Sequence, residues 1–170
     1  MTEIIRRILV PIDFSEQSER AMRYAAHFAH KLGARIELLH VVEDPFLSGA
    51  WSTEVYLLNP AQVLDQLVLD ARKRLSDCAR RLAAEGVHTQ AAVLTGPPAR
   101  MIVEHASTGE FDLIVMGTHG RTGLSHVFLG SVAERVLRVA PCAVLTVKSG
   151  IATARQGEGH LVTALACEPT

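Results

Sequence analysis

FDLIVMGTHGRTGLSHVFLGSVAERVLRVAPCAVLTVK, residues 111–148, holds the pattern that decides the fold. It opens on an apolar run, Phe111 to Met116, of the kind a strand shows when both of its faces are buried. A glycine-rich segment, Gly117 to Gly130, follows. From Ser131 to Val139 the apolar residues recur at helical spacing, and Pro141 forbids that helix from continuing. Cys142 to Val147 is again short, apolar and β-branched. Strand, glycine-rich turn, helix and strand in this order predict a right-handed βαβ crossover between parallel strands.

The same alternation extends toward the N-terminus. Ile4 to Pro11 reads as a first strand, and Ser15 caps a helix whose first turn carries Glu16. Ala21, Met22, Ala25, Phe28, Ala29 and Leu32 give that helix one apolar face, and Gly33 ends it. Arg35 to Val42 is a second strand. Glu43 to Leu58 is a loop in which Trp51 and Tyr56 serve either as a lid or as packing anchors. Asn59 and Pro60 start a long helix with the stripe Val63, Leu64, Leu67, Ala71, Leu75, Cys78 and Leu82, closed by Gly86. Thr89 to Thr95 is a third strand, and Gly96-Pro97-Pro98 turns into a short helix with Met101, Ile102 and Ala106. The expected architecture is α/β: a single-domain, open, five-stranded parallel sheet with helices on both faces, over residues 1–148. Ser149 to Thr170 reads as a loosely ordered tail, with LVTALA docking at the sheet edge as the alternative.

Composition narrows the function classes. The chain has 170 residues, enough for one domain with a real core. Apolar residues make up 48% but aromatics only 5%, so Val, Ile, Leu and Ala must build the interior. A formal net charge of -1 lacks the basic surplus of a protein that neutralises nucleic-acid phosphates. No apolar stretch approaches the roughly 20 residues of a membrane helix. MTEIIRRILVPIDF reads as a first strand and not as a secretory signal. Cys78, Cys142 and Cys167 are far apart and form no CxxC, so neither a disulfide framework nor a zinc site is expected, and the cytoplasm is the expected compartment.

Ligands of parallel α/β sheets sit beyond the carboxyl ends of the strands, where strand order reverses. Pro11-Ile12-Asp13, Val41-Val42 and Gly117 to Gly123 should converge there. Phosphate oxygens need several N–H donors at close range, and glycine lets the backbone approach without a Cβ and adopt positive φ. Gly130-Ser131 then opens a helix whose free N–H groups and dipole favour an anion. Thr118, His119, Arg121 and Thr122 add polar groups to the same loop. This is not a Walker loop, since no GK[ST] follows, and GxxGxxG is not the dinucleotide fingerprint. Taken as a loose glycine pattern, the segment weighs function and turn geometry about evenly. Asp13 is either a turn residue or a ligand contact. His119 and His126 read as solvated loop histidines, and His40 as a satisfied strand histidine.

The full spacing is G-x2-G-x9-G-S, at Gly117, Gly120, Gly130 and Ser131. With ILVPIDFSEQSERAMRYA, LLHVVED and the 111–148 segment in the same order, the chain resembles the universal stress proteins, specifically their ATP-binding branch, over about residues 3–148. The resemblance implies a Rossmann-like fold of the adenine nucleotide alpha hydrolase type. It implies that Asp13 faces the ribose or a magnesium ion near the phosphates. Pro11, Ile12 and Val41 would contact adenine, Val41 through its backbone. Met116, Gly117, Thr118, His119, Gly120, Arg121 and Gly123 would follow as the phosphate loop, closed by Gly130, Ser131 and Val132. ATP, ADP or AMP would be the ligand, with magnesium as a companion of the phosphates. A homodimer would form by pairing the last strands, Ala143 to Val147, and the long tail departs from the family's usual short ending. The expected role is stress response or signalling through binding, with at most weak ATP hydrolysis. The alternative is a slow ATPase or nucleotide-dependent enzyme of the same fold, though His119-Gly120-Arg121 lacks the HxGH pattern of nucleotidyl transferases. An interaction module that no longer uses nucleotide is a third reading, weakened by the intact glycines.

Overall fold

The computed structural model describes residues 5–44, 59–118, 129–148 and 161–165, the last by backbone alone. Five parallel strands run β1 (Arg7–Pro11), β2 (Arg35–Val42), β3 (Thr89–Thr95), β4 (Leu113–Gly117) and β5 (Ala143–Val147). Between them lie the helices α1 (Glu16–Leu32), α2 (Pro60–Ala84), α3 (Pro98–Thr108) and α4 (Ser131–Val139). A further strand, β6 (Leu161–Leu165), pairs antiparallel with β5, so the sheet order is β3-β2-β1-β4-β5-β6. The order reverses between β1 and β4: the chain winds outward through β2 and β3, then restarts on the other side.

The apolar runs that look continuous in sequence divide by the strand's period of two. In β1, Ile8 and Val10 join one core cluster with Leu38, Leu75 and Val115, while Leu9 joins the other with Leu39, Ile102, Ile114 and Val136. Helices α1 and α2 cover the first face and α3 and α4 the second, each supplying its stripe to one cluster. Burial on both sides is why the run had to be apolar throughout.

Local signals set the element ends. The Ser15 hydroxyl accepts the Ser18 N–H at the start of α1, and Gly33 ends it in the left-handed region at φ 67°. The Asn59 side chain accepts from the Ala61 N–H, with proline in the first turn of α2. β4 starts at Leu113 and not at Phe111. Asp112 turns aside there, its Oδ2 accepting the Arg6 and Arg7 N–H groups at 2.7 and 2.8 Å, while Phe111 packs under Arg7, whose guanidinium lies 4.7 Å from the ring centre.

Two expectations change. The stripe of α2 is core only from Ala71 onward: Leu75 and Leu82 are buried, but Leu67 is 39% exposed. A helix of 25 residues spans about 38 Å, whereas the seven residues of β3 span about 23 Å, so α2 overhangs the sheet it covers. The edge Ala143–Val147, expected to pair with a second copy, is already paired with β6 through Val144–Leu165, Leu145–Ala164 and Thr146–Thr163. Pairing between two β5 strands therefore requires β6 to move aside.

Candidate functional site

The carboxyl ends of β1, β2 and β4 meet the start of α4 around a cavity of about 410 Å³. That volume falls within the roughly 300–1,000 Å³ of small-molecule sites. The position is the switch point where strand order reverses, which leaves a crevice because α1, next after β1, and α4, next after β4, pack on opposite faces. Pro11, Ile12, Asp13, Val41, Met116, Gly117, Thr118, Gly130, Ser131 and Val132 all line it. His119, Gly120, Arg121 and Gly123 lie outside the described residues, as do Trp51, Tyr56 and His126.

One end of the cavity is built from donors. Gly130 is the cap residue of α4 at φ -62° and ψ 147°, and having no side chain it makes no capping hydrogen bond. The first helical bond runs from the Glu134 N–H to the Gly130 carbonyl at 2.9 Å. The N–H groups of Ser131, Val132 and Ala133 lie ahead of that bond, and all three residues line the cavity. Nearby, the Gly130 N–H donates to the Thr118 carbonyl at 2.7 Å and the Thr118 N–H to the Val147 carbonyl at 3.1 Å. These bonds fix the helix start against the end of β4.

Part of the lining is apolar. Pro98 and Ile102 of α3 line the cavity together with Leu39, Val41 and Met116. The start of α3 offers no donor at its first position, because Pro98 stands there. Two helix starts thus reach the same cavity, and that of α3 has one leading donor fewer.

Neither described glycine of the motif uses the positive φ that glycine allows. Gly130 keeps an ordinary negative φ, and Gly117 is absent from the positive-φ glycines, which among the described residues are Gly33, Gly86 and Gly96. A Cβ on Gly117 would stand 3.1 Å from Gln17 Cβ and 3.2 Å from the Gln17 carbonyl carbon. The absent side chain at Gly117 therefore admits α1, while Gly130 leaves a cap position bare.

Asp13 holds a turn and also stands at the cavity. It lines the cavity, and its Oδ1 accepts the Ser15 N–H at 3.0 Å and the Ser15 hydroxyl at 2.6 Å, which shapes the turn into α1. Phe14, between them, takes a positive φ of 64°. Asp13 and Glu43 are carboxylates of the described lining, and among the described residues no three His, Cys, Asp or Glu side chains converge as a metal site.

Sequence reasoning missed Ser18, Leu39, His40, Glu43, Pro98, Ile102 and Ala133. His40 was visible as the one polar residue inside LLHVV; it is buried, and its Nδ1 lies 2.6 Å from the Ile12 carbonyl oxygen. Pro98 and Ile102 had no local signal, since α3 reaches the cavity only through the tertiary fold.

Fold and site define a class: a parallel α/β protein with a polar-and-apolar ligand pocket at its topological switch point. The model of the universal stress protein family matches residues 5–148, and the chain belongs to that family. Universal stress protein MJ0531 of Methanocaldococcus jannaschii is 35% identical over 151 residues, covering 85% of this chain and 83% of that one. Among solved structures, that of hypothetical protein MJ0577, from the same organism, superposes with a TM-score of 0.76 at 28% identity, covering 88% of this chain and 99% of that one. A universal stress protein from Archaeoglobus fulgidus in complex with dAMP shares the fold at a TM-score of 0.59 and 24% identity, covering 84% and 98%. Another universal stress protein, in complex with cAMP, does so at 0.59 and 24%, covering 85% and 97%.

Proposed function

We propose that this universal stress protein binds an adenine nucleotide (ATP, or the diphosphate or monophosphate) and serves stress response or signalling through binding rather than turnover. The observation that carries the reading is the bare start of α4, whose first residues line a cavity that also has apolar lining. Phosphates belong at the donor-rich end, where backbone N–H groups and the helix dipole favour negative charge. The base belongs against Pro98, Ile102 and Met116, with the Val41 backbone at its edge. The ribose then falls beside Asp13. His119, Gly120, Arg121 and Gly123 would add to the phosphate end. The ligands named for the two related folds, dAMP and cAMP, are both adenine nucleotides.

The chain's described residues do not assemble a metal site of their own. Magnesium enters the reading as the counterion carried by the phosphates, with Asp13 as the carboxylate within reach. A cytoplasmic setting agrees with Cys78 and Cys142 being free thiols. Homodimerisation is proposed along Ala143–Val147, once β6 has vacated that edge.

Ser131 offers a clean test. Gly130 already has the extended backbone that precedes proline, and the first helical position tolerates proline. Ser131→Pro should therefore preserve the fold while removing one donor and the hydroxyl. Titration calorimetry with ATP and magnesium should show the wild-type chain binding and this variant binding about tenfold more weakly, the worth of one hydrogen bond to a charged group. Ser131→Ala separates the hydroxyl's share. Equal affinity in the proline variant, or no binding by the wild-type chain, would overturn the reading.

A further inference from the structure

Three side chains from different elements stack in a row behind the cavity rim. The Arg74 guanidinium of α2 lies 3.9 Å from the centre of the Phe14 ring. The Phe14 ring lies 4.6 Å from that of His40 on β2, tilted by 37°. His40 Nδ1 lies 2.6 Å from the Ile12 carbonyl oxygen. A carbonyl only accepts, so Nδ1 carries the proton and donates. Ile12 is held from its other side as well, its N–H donating to the Leu39 carbonyl at 2.8 Å.

The middle of the row is strained. Phe14 has a φ of 64°, a region an aromatic residue enters only when its surroundings compensate. The compensation is visible. Asp13 pulls the turn closed through its two bonds from Ser15, the cation sits over one side of the ring, and the ring packs against the core. Ile12, Asp13 and His40 line the cavity, whereas Phe14 and Arg74 stand outside the described lining. Strain held directly behind a ligand pocket, and held by a long helix, is an arrangement that a turn alone does not need.

We propose that Arg74, Phe14 and His40 form a positioning relay that fixes the Ile12–Asp13 rim for the ligand and couples helix α2 to the pocket. The proposal deepens the nucleotide reading and rests on it for its ligand. Arg74 holds the ring, the ring holds His40 upright, and His40 holds the Ile12 carbonyl. Loss of the ring frees the rim without removing any group that lines the cavity.

Phe14→Gly deletes the ring and takes the positive φ without strain; because it also frees the backbone, Arg74→Met, which leaves that backbone unchanged, must move exchange in the same direction. Phe14→Tyr keeps the ring, and Arg74→Met keeps the apolar stem while deleting the cation. Two readouts are taken on each full-length variant. In the free protein, amide hydrogen exchange at Ile12 and Ser15 should quicken in Phe14→Gly and Arg74→Met while that of Leu9 and Ile114 holds, and Phe14→Tyr should match the parent. In calorimetry with ATP, Phe14→Gly should bind about tenfold more weakly, the loss usual when a group that orients a contact residue is removed, and Phe14→Tyr should bind as the parent. Unchanged exchange at Ile12 in Phe14→Gly overturns the relay. So does a parent-like ATP affinity in that variant, or a tyrosine variant as weak as the glycine one. If the parent binds no ATP, the nucleotide reading falls, and the exchange data still judge whether the relay holds the rim.

Discussion

Gly117 stands where α1 comes close, and a phosphate approaching this strand end would make use of the same missing side chain. A Cβ here would lie 3.1–3.3 Å from Gln17, so α1 would have to shift by a few tenths of an ångström to admit one. Gly117→Ala should lower stability by about 1–3 kcal/mol, the cost of overpacking, seen as a lower urea midpoint at unchanged slope. A variant that keeps its stability and loses only nucleotide affinity would return this glycine to the ligand. Cys142 illustrates a different residue-scale effect. Burial, with the Asp112 carboxylate adding to it, pushes its thiol up from 9.0 to about 11. The thiolate is the reactive form, so alkylation of the folded protein at Cys142 should be slow at pH 8 and rise only toward pH 11. The sign for stability follows from the same shift. Between about pH 9 and 11 the unfolded chain has released this proton and the folded chain has not, so the thiol's contribution is full below pH 9 and is lost as pH rises through 11. Fast modification at pH 8 in the folded state would contradict the shift.

At the scale of elements, helix starts and overhangs decide what each piece can do. The start of α4 is bare, whereas at the start of α3 Pro98 removes one donor and adds an apolar ring, so the cavity lining mixes polar and apolar parts that neither helix supplies alone. Helix α2 extends beyond its strands, leaving Leu67 and Leu69 at 39% and 57% exposure while Leu75 is buried. Hydrogen exchange should therefore grade along α2, fast through Val63 to Leu69 and slow from Ala71 to Leu82, since local opening follows buried contact. Uniform protection along the helix would mean that something covers its first half. Much of this was legible in sequence, because the signals were local. Ser15, Gly33 and Asn59 mark ends through their own side chains or backbone, and the apolar runs announce strands buried on both faces. The donor-rich end of the pocket was equally legible, since Gly130-Ser131 carries it in adjacent residues. What escaped was whatever depended on another element's position. Pro98 and Ile102 join the site only because β3 lies two strands from β1, and Gly117 is small for the sake of Gln17, far off in the chain. The α2 stripe was overread because periodicity reports which face is apolar and not how long the sheet beneath it is.

The whole molecule turns on what happens at the β5 edge. An apolar strand with one open edge invites pairing with another chain, and proteins manage such edges by covering them. Here the cover is the chain's own β6, laid antiparallel on β5 with an irregularity between Thr146 and Val147 where the register shifts. That shift breaks the ladder close to the end of β5, so the cover is an imperfect fit. An antiparallel neighbour is also what a second copy of β5 would present, since a two-fold axis at Leu145 places identical strands in opposite directions. The tail and a second copy paired along this edge would thus compete for one set of backbone donors and acceptors. Shortening the chain after Lys148 removes one competitor. Sedimentation should then find the shortened protein dimerising at lower concentration than the full chain. Thr163→Pro combined with Ala164→Pro in the full-length protein should act in the same direction, because neighbouring N–H groups of a strand point to opposite edges and one of these two must face β5. The two variants check each other: one removes the segment, the other only its ability to pair. If both sediment as the full chain does across the concentration range, β6 does not govern self-association, and the pairing of copies must be sought on another face.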